Sequence, residues 1–462
     1  MGQASIIRAF GFALIILGAA MLVPYFIALG SEEAHAEVYL FGAALTIFIG
    51  SGAFLASSDR RMPADLRGAV VLILLWWIVA PIFAAIPFLL TEYTPLDAYF
   101  EALSAITTTG AWLSIEGAVA SPSGMIWRAQ LQWLGGLASL AIAAAIFIRP
   151  AFIGIDTLLP PFSRGDRASY IKAIQNAAFG FLWVYLLITV LCFGTQMLAG
   201  MPILQASVVA MSAVSSGGFV PHADGLGHYP FAVTGTLLPF IILGGANFVL
   251  ITRLLRGSAR RNRDVESGVY LLAIAIVGVV YWIANGAGDI DLIPAQIFNA
   301  ASLFSTNGYL VGDMPTLPLA LITVIIGGSA VSTAGGFKIL RWLVIFQRAR
   351  EEVRLLVTPK GVFGKSAIAN ELGVWIHFLV FTMTLGAMML FLTLAGHSFE
   401  LSAATATGIL ANAGPVIVLA ESGADYQIFN GPIKILLCIG MILGRLEAVV
   451  ALAIINHAFW RS

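Results

Sequence analysis

Apolar runs of about twenty residues follow one another from end to end of this chain, and runs of that length suit only a lipid environment. Ten can be counted, at roughly 6–29, 37–57, 68–90, 127–148, 170–199, 230–251, 267–285, 316–340, 368–396 and 432–459. Inside hydrocarbon every backbone N–H and C=O needs a partner from the protein itself, so each run is expected as a helix and the chain as an all-α integral membrane protein. Composition agrees: 59% of the residues are hydrophobic and 10% are charged, whereas roughly 25% are charged in soluble domains. The first run is not read as a cleavable signal, since no small-x-small site with a polar mature start follows it. Cys192 and Cys438 both fall inside apolar runs, so neither a disulfide framework nor a thiolate metal site is indicated.

The formal net charge of zero hides a segregation that fixes topology. With Arg8 placed in the cytoplasm, 21 of the 24 Lys and Arg residues fall on that side, as the positive-inside rule requires. Only Arg128, Lys434 and Arg445 lie elsewhere. Fourteen acids, among them Asp97 and Glu101, fall on the opposite side against two bases, Arg128 and Lys434, which leaves that face near −12. A negative vestibule of this kind concentrates cations. The expectation is a multi-pass protein of a bacterial plasma (inner) membrane with a cytoplasmic N-terminus.

Four short polar interruptions, each closed by glycine, recur about 90–110 residues apart: TTTG at 107–110, SSGG at 215–218, STNG at 305–308 and ANAG at 411–414. Each follows an apolar segment too short to span, at 96–107, 203–215, 293–305 and 401–411, as a re-entrant half-helix would be. Ser104, Ser212 and Ser302 each precede the closing glycine by six, and Gly408 takes that place in the fourth, most divergent copy. The expected architecture is therefore two N-terminal transmembrane helices (1–66) followed by four pseudo-symmetric helix–pore-loop–helix repeats. These occupy 67–150, 168–256, 265–355, with a broken second helix, and 364–459. Irregular backbone at membrane depth is tolerated where it lines a water-filled passage, and glycine lets successive carbonyls be aimed inward. Four such loops on one axis would form the quarters of an ion filter, in which carbonyls replace the hydration shell.

The stretches FEALSAITTTGA (100–111), WRAQLQWLGG (127–136), SAVSSGGF (212–219), LGGANF (243–248), STNGY (305–309), GGSAVSTAGGFKILR (327–341), NAGP (412–415) and LGRLE (443–447) stand in order over most of the chain. Together they resemble the Trk/Ktr/HKT superfamily of potassium transporters, and within it the bacterial Trk-type potassium-uptake membrane subunits. The resemblance implies a filter made by Thr108, Thr109 and Gly110, by Ser216, Gly217 and Gly218, by Thr306, Asn307 and Gly308, and by Asn412, Ala413 and Gly414. Glycine at the critical point of every repeat favours potassium, because family members with serine in the first repeat tend towards sodium. STNGY departs from a family preference for threonines, and NAGP from a bulkier residue before the glycine. A homodimer with one pore per subunit is implied, as is a cytosolic nucleotide-sensing, TrkA-like regulatory ring protein. Potassium would be the transported substrate and no cofactor is implied.

Residues 327–338 place Gly327, Gly328, Ser329, Ser332, Thr333, Gly335, Gly336 and Lys338 in an otherwise apolar helix, where each glycine costs about 1 kcal/mol relative to alanine. Spacing alone allows either an unwound pore segment or close helix packing through small residues; by resemblance it is the intramembrane gate loop. Lys338 also reads as an interfacial lysine whose amine snorkels to the headgroups. Arg445 is the one base well inside a span, at a cost of at least ~2.5 kcal/mol, and by resemblance is the pore arginine beneath the filter. Glu447, two positions on, faces another side of the helix. Asn247 is expected to bond between helices. RGSARRNRD (256–264) and RAREEVRLLVTPKG (348–361) are candidate partner-docking segments, although topogenic charge explains the first equally well. No nucleophile–base pair, metal-ligand spacing or nucleotide motif is present, so catalysis and nucleic-acid binding are not expected. The competing function is a sodium-permeable or ion-coupled symporter with alternating access; such folds place substrate between inverted halves, whereas these four repeats share one orientation.

Overall fold

The computed structural model describes residues 3–57, 66–89, 93–113, 121–147, 170–222, 225–257, 264–357 and 371–455. Outside these lie Arg60, Arg61, Arg149, Arg164, Arg167, Arg260, Arg261, Arg263, Lys360, Lys365 and Arg461 of the inner bases, and Glu92, Glu116 and Asp224 of the outer acids. The Glu447 side chain is likewise not described. Among the described residues the regular secondary structure is all helical, without strands.

Six spans among the described residues are long and apolar enough to cross a membrane: 4–30, 36–56, 67–89, 172–198, 265–284 and 372–394. A seventh is the bent pair Phe231–Gly245 and Phe248–Leu255, which turns through 107°. The remaining three of the ten apolar runs differ for physical reasons. Pro122–Phe147 and Gly431–Ile455 have the length, but carry Arg128, Gln132, Lys434 and Arg445, polar side chains that the structure turns towards protein rather than lipid. Leu317–Ile326 is only 10 residues long, because the glycine-rich stretch that follows leaves the helix. The bend at 245–248 was not foreseen. Ala246 is extended there, and Phe248 N–H donates to Val331 O at 2.8 Å, so the backbone groups freed by the break are met by another break.

Four short helices, Pro95–Ile106, Ile203–Val214, Ile293–Phe304 and Phe399–Leu410, are each 12 residues long. Each is almost wholly buried from its second turn onward. Phe100 and Phe298, which align between repeats, are 0% and 2% exposed. The apolar core falls into two main bodies. One joins the N-terminal helices to repeats 1 and 4; the other joins repeats 2 and 3. The polar loops lie where these bodies meet. Large apolar side chains such as Phe48 and Trp183 cover the outside, which is the face expected where the solvent is lipid.

Glycine fixes how closely the long helices approach the short ones. A Cβ on Gly135 would collide with the carbonyl of Ile106 at the end of the first short helix, whereas one on Gly180 would meet open space. Gly135→Ala is therefore expected to destabilise the protein by roughly 1–3 kcal/mol, read as a lower melting temperature in detergent. Gly180→Ala should melt with the parent. Equal melting of the two variants would contradict this packing.

Candidate functional site

All four short helices stop in the same way. The N–H of Thr109 donates to Ser104 O at 2.9 Å, Gly217 to Ser212 O at 2.8 Å, Asn307 to Ser302 O at 2.9 Å and Ala413 to Gly408 O at 2.6 Å. This bond from the sixth residue back to the first is half of a Schellman motif, and it requires a left-handed residue just past the helix end. Those residues are Thr108, Ser216, Thr306 and Asn412, with φ of 51°, 58°, 57° and 53°. The bond ends one residue before the closing glycine, which fixes the register between the short helix and that glycine. What all four copies use at the earlier position is its main-chain oxygen, so Gly408 serves there as well as serine. A left-handed, β-branched Thr is strained, at about 1–3 kcal/mol each, and quarters 1 and 3 hold that strain, whereas Asn412 in quarter 4 suits the conformation.

The quarters meet in sequence order and the circle closes. A Cβ on Gly110 would collide with Gly217 O, and one on Gly218 with Asn307 O. One on Gly308 would come within 2.9 Å of Pro415. Gly414 returns to the first quarter, its N–H donating to Thr109 O at 2.6 Å. All twelve filter residues named from the sequence are thus brought together.

The main-chain oxygens differ by level. Among the described residues, those of Thr108, Ser216, Thr306 and Asn412 accept no hydrogen bond, although all four residues are 0% exposed. Buried carbonyls are nearly always paired, so four equivalent orphans in one ring require an explanation. One level inward, Thr107 O accepts from Arg445 Nε at 2.5 Å and Ala411 O from Gly336 N–H at 3.1 Å. One level outward, Gly217 O accepts from Gln132 Nε2 at 2.8 Å, Thr109 O from Gly414 and Ala413 O from Val416 N–H at 3.2 Å. Ser215 O and Ser305 O of the inward level and Asn307 O of the outward one also accept no bond among the described residues, so the level of Thr108 is the one at which all four quarters are unpaired.

The fourth quarter departs from the equivalence expected of it. Gly110, Gly218 and Gly308 have φ of 69°, 76° and 72°, whereas Gly414 does not lie in the left-handed region. Its carbonyl accepts from Tyr426 OH at 2.9 Å, and the chain continues into a 3₁₀ turn over Gly414–Leu419. Pro415 follows as the second residue of that turn. The Pro415 ring lies against the glycines of all three other quarters: 2.7 Å from a Cβ built on Gly218, 2.9 Å on Gly308 and 3.5 Å on Gly110.

Residues 327–338 pass directly against this ring. Thr333 Oγ1 and Ser216 Oγ lie 2.8 Å apart, and Gly335 N–H donates to Thr306 Oγ1 at 2.8 Å. A Cβ on Gly335 would collide with Ala411 O. From behind, Ser329 N–H bonds Gly245 O at 2.9 Å, and Ala330 N–H bonds the buried carboxylate of Glu266 at 2.6 Å. Asn247 joins two helices by donating to Glu266 at 3.2 Å. Gly327, Gly336 and Lys338 have φ of 71°, 75° and 78°. Gly328 packs against Gly245 O and the side chains of Ser332 and Ala334. Arg445 ties ring to loop: Nη2 donates to Thr108 Oγ1 and Nη1 donates to Thr333 O at 2.9 Å. The snorkelling reading of Lys338 is overturned. It is 8% exposed, and its amine folds back onto Ala334 O and Ser332 Oγ. A cavity beyond the loop is lined by Lys338, Arg341, His377 and Arg445 without any carboxylate among its lining residues.

Sequence reasoning missed the side chains that brace the ring. Gln132 and Pro415 act across repeats, Glu266 joins its own repeat's loop to Asn247 of repeat 2, and Tyr426 holds Gly414 within repeat 4; no local spacing marks them. Arg128 and Lys434, the two bases out of place on the acidic side, pair with Glu101 and Asp97, each at 2.5 Å. Glu101 is 2% exposed and so belongs to the interior, not the vestibule.

The TrkH family, described as cation transport proteins, matches residues 35–274. The chain is 28% identical to the Trk system potassium uptake protein TrkG of Escherichia coli K12, over 98% of this chain and 97% of that protein. It is 27% identical to the Trk system potassium uptake protein TrkH of Halomonas elongata, over the full length of both. The crystal structure of the potassium transporter TrkH from Vibrio parahaemolyticus superposes with a TM-score of 0.87 at 26% identity, covering 100% of each chain.

Gly335→Ala cannot seat the glycine-rich loop against Ala411. It should raise cation leak into liposomes carrying the purified protein by about tenfold, the equivalent of 1.4 kcal/mol. Unchanged leak would show that the loop does not seal the ring.

Proposed function

Since the chain belongs to the TrkH family of cation transport proteins, a family of transporters and not enzymes, we propose that it takes up potassium through a filter of main-chain carbonyls. The reading rests above all on the four orphaned, buried oxygens of Thr108, Ser216, Thr306 and Asn412. Each sits just past a helix C-terminus, where the aligned peptide dipoles present roughly half a negative charge. Four such ends and neutral oxygens form a weak-field site that suits a dehydrated monovalent cation, whereas divalent ions are held through carboxylates. Potassium is the substrate here, and the filter residues are Thr108, Thr109, Gly110, Ser216, Gly217, Gly218, Thr306, Asn307, Gly308, Asn412, Ala413 and Gly414.

The gate in this account is the loop 327–338 with Arg445. A potassium ion about 4 Å from the guanidinium meets roughly 4 kcal/mol of repulsion at an effective dielectric constant near 20. Flux therefore requires Arg445 to leave Thr107 and Thr108, and the loop to leave Ser216 and Thr306. Lys338 and Arg341 add positive charge to the cavity beyond. The protein would work as a homodimer in the bacterial inner membrane, N-terminus inside, under a cytosolic nucleotide-sensing ring protein. The exposed pairs Arg348–Glu351 and Arg348–Glu352 on the helix ending at Val357 mark a docking face for that partner.

In a potassium-uptake-deficient bacterium the chain should restore growth at low potassium. Gly110→Ser and Gly218→Ser should abolish it or admit sodium, because either side chain drives into the neighbouring quarter. No growth with the parent, or full growth with both variants, would refute the reading. Arg445→Ala should raise rubidium flux into liposomes by at least about tenfold, taking only part of that barrier; unchanged flux would remove Arg445 from the gate.

A further inference from the structure

Two of the four quarters share a brace at matching positions. In repeat 1, Glu101 lies nine residues before Gly110, and its Oε2 accepts from the N–H of Leu113, three residues beyond that glycine, at 3.0 Å. In repeat 3, Asn299 lies nine before Gly308, and its Oδ1 accepts from the N–H of Val311, three beyond, at 2.9 Å. Its Nδ2 also donates to Val311 O at 2.9 Å. Both bonds span twelve residues and both side chains are buried, at 2% and 0% exposure. The quarters concerned stand diagonally, since each touches quarters 2 and 4.

The other diagonal is built differently, down to its donors. Repeat 2 has Val209 at the bracing position and Pro221 at the position to be braced. Proline has no N–H to give. Its outgoing segment is caught two residues earlier, by Phe219 N–H donating to Ser212 Oγ at 2.8 Å, with Tyr309 OH of repeat 3 bonding the same Oγ at 2.9 Å. Repeat 4 has Thr405 and Ile417 at these positions, and there Tyr426 holds Gly414 O instead.

Repeat 3 therefore does with a neutral amide what repeat 1 does with a carboxylate. A buried carboxylate needs a counter-charge, and Arg128 supplies it, with Nε at 2.5 Å from Glu101 and Nη2 donating to Tyr93 OH at 2.7 Å. The guanidinium also lies 5.8 Å from the centre of the Phe219 ring, the residue after Gly218, so the charge pair reaches the adjacent quarter. We infer that Glu101 and Asn299 are equivalent positioning residues that set the spread of one diagonal of the filter, and thereby its discrimination between potassium and sodium, with Arg128 as the counter-ion that repeat 1 requires. This inference rests on the filter reading above.

The test uses the full-length protein in liposomes and compares rubidium with sodium flux. Replacing Glu101 alone leaves Arg128 buried without its carboxylate and invites misfolding, so two double variants are compared, neither of which carries the ion pair. Glu101→Asn with Arg128→Leu copies repeat 3 and should keep the rubidium preference. Glu101→Leu with Arg128→Leu lacks only the brace and should lose preference by about tenfold, as expected for one main-chain hydrogen bond. Asn299→Leu, which disturbs no charge, should lose a similar factor. Gly218→Ser is the control for the filter itself. If Gly218→Ser shifts the preference while the two double variants match each other and Asn299→Leu matches the parent, the brace is overturned and the filter stands. If Gly218→Ser changes nothing, the filter reading falls and the inference falls with it.

Discussion

Each quarter of the ring depends on one backbone hydrogen bond, the reach of an N–H back over six residues to close a short helix. That bond drives Thr108, Ser216, Thr306 and Asn412 into left-handed conformation. In an extended strand successive carbonyls alternate sides. A left-handed residue interposed at the helix end breaks that alternation and leaves its own carbonyl turned away from the partners a strand or helix would offer. The strain is maintained because the residues are over-determined. Arg445, Thr333, Gly335 and the Thr109–Asn412 contact hold the four side chains from the far side.

The same contacts couple the filter to the loop beneath it. Hydroxyls of the ring bond the loop in repeats 2 and 3, Arg445 bonds both in repeat 1, and Gly336 reaches the end of the fourth short helix. A loop that releases must break these bonds together, so opening is expected to be cooperative. Glu266 and the bend at 245–248 anchor the loop's other edge to repeats 2 and 3. Pseudo-symmetry is thus imposed at the helix ends and abandoned elsewhere, where Pro415 and Tyr426 give the fourth quarter a form of its own.

Much of this was legible in the chain because it is written in local spacing. Twenty-residue apolar runs give spans. Glycine closes each loop, and the constant register back to Ser104, Ser212, Ser302 and Gly408 reflects a backbone bond made by the residue before that glycine, for which a glycine at 408 suffices. What escaped notice depends on partners far apart in sequence. Arg128 counts in the sequence only as a base on the acidic side, although Glu101 stands 27 residues away to receive it. Lys338 looked interfacial because hydropathy cannot show an amine folded onto its own loop. The alignment of FEALS with FNAAS places Glu101 beside Asn299, yet unlike residues at one position do not announce a shared task until their hydrogen bonds are seen. Polar residues in Pro122–Phe147 and Gly431–Ile455 likewise turn inward for reasons that only the assembled ring supplies.

The most direct measurement of the central claim is anomalous scattering from crystals of this protein soaked in rubidium or thallium. A peak bounded by the main-chain oxygens of Thr108, Ser216, Thr306 and Asn412, lost in Gly218→Ser, is the expected result. Those four oxygens turned onto protein donors, with heavy cations bound only elsewhere, would contradict it.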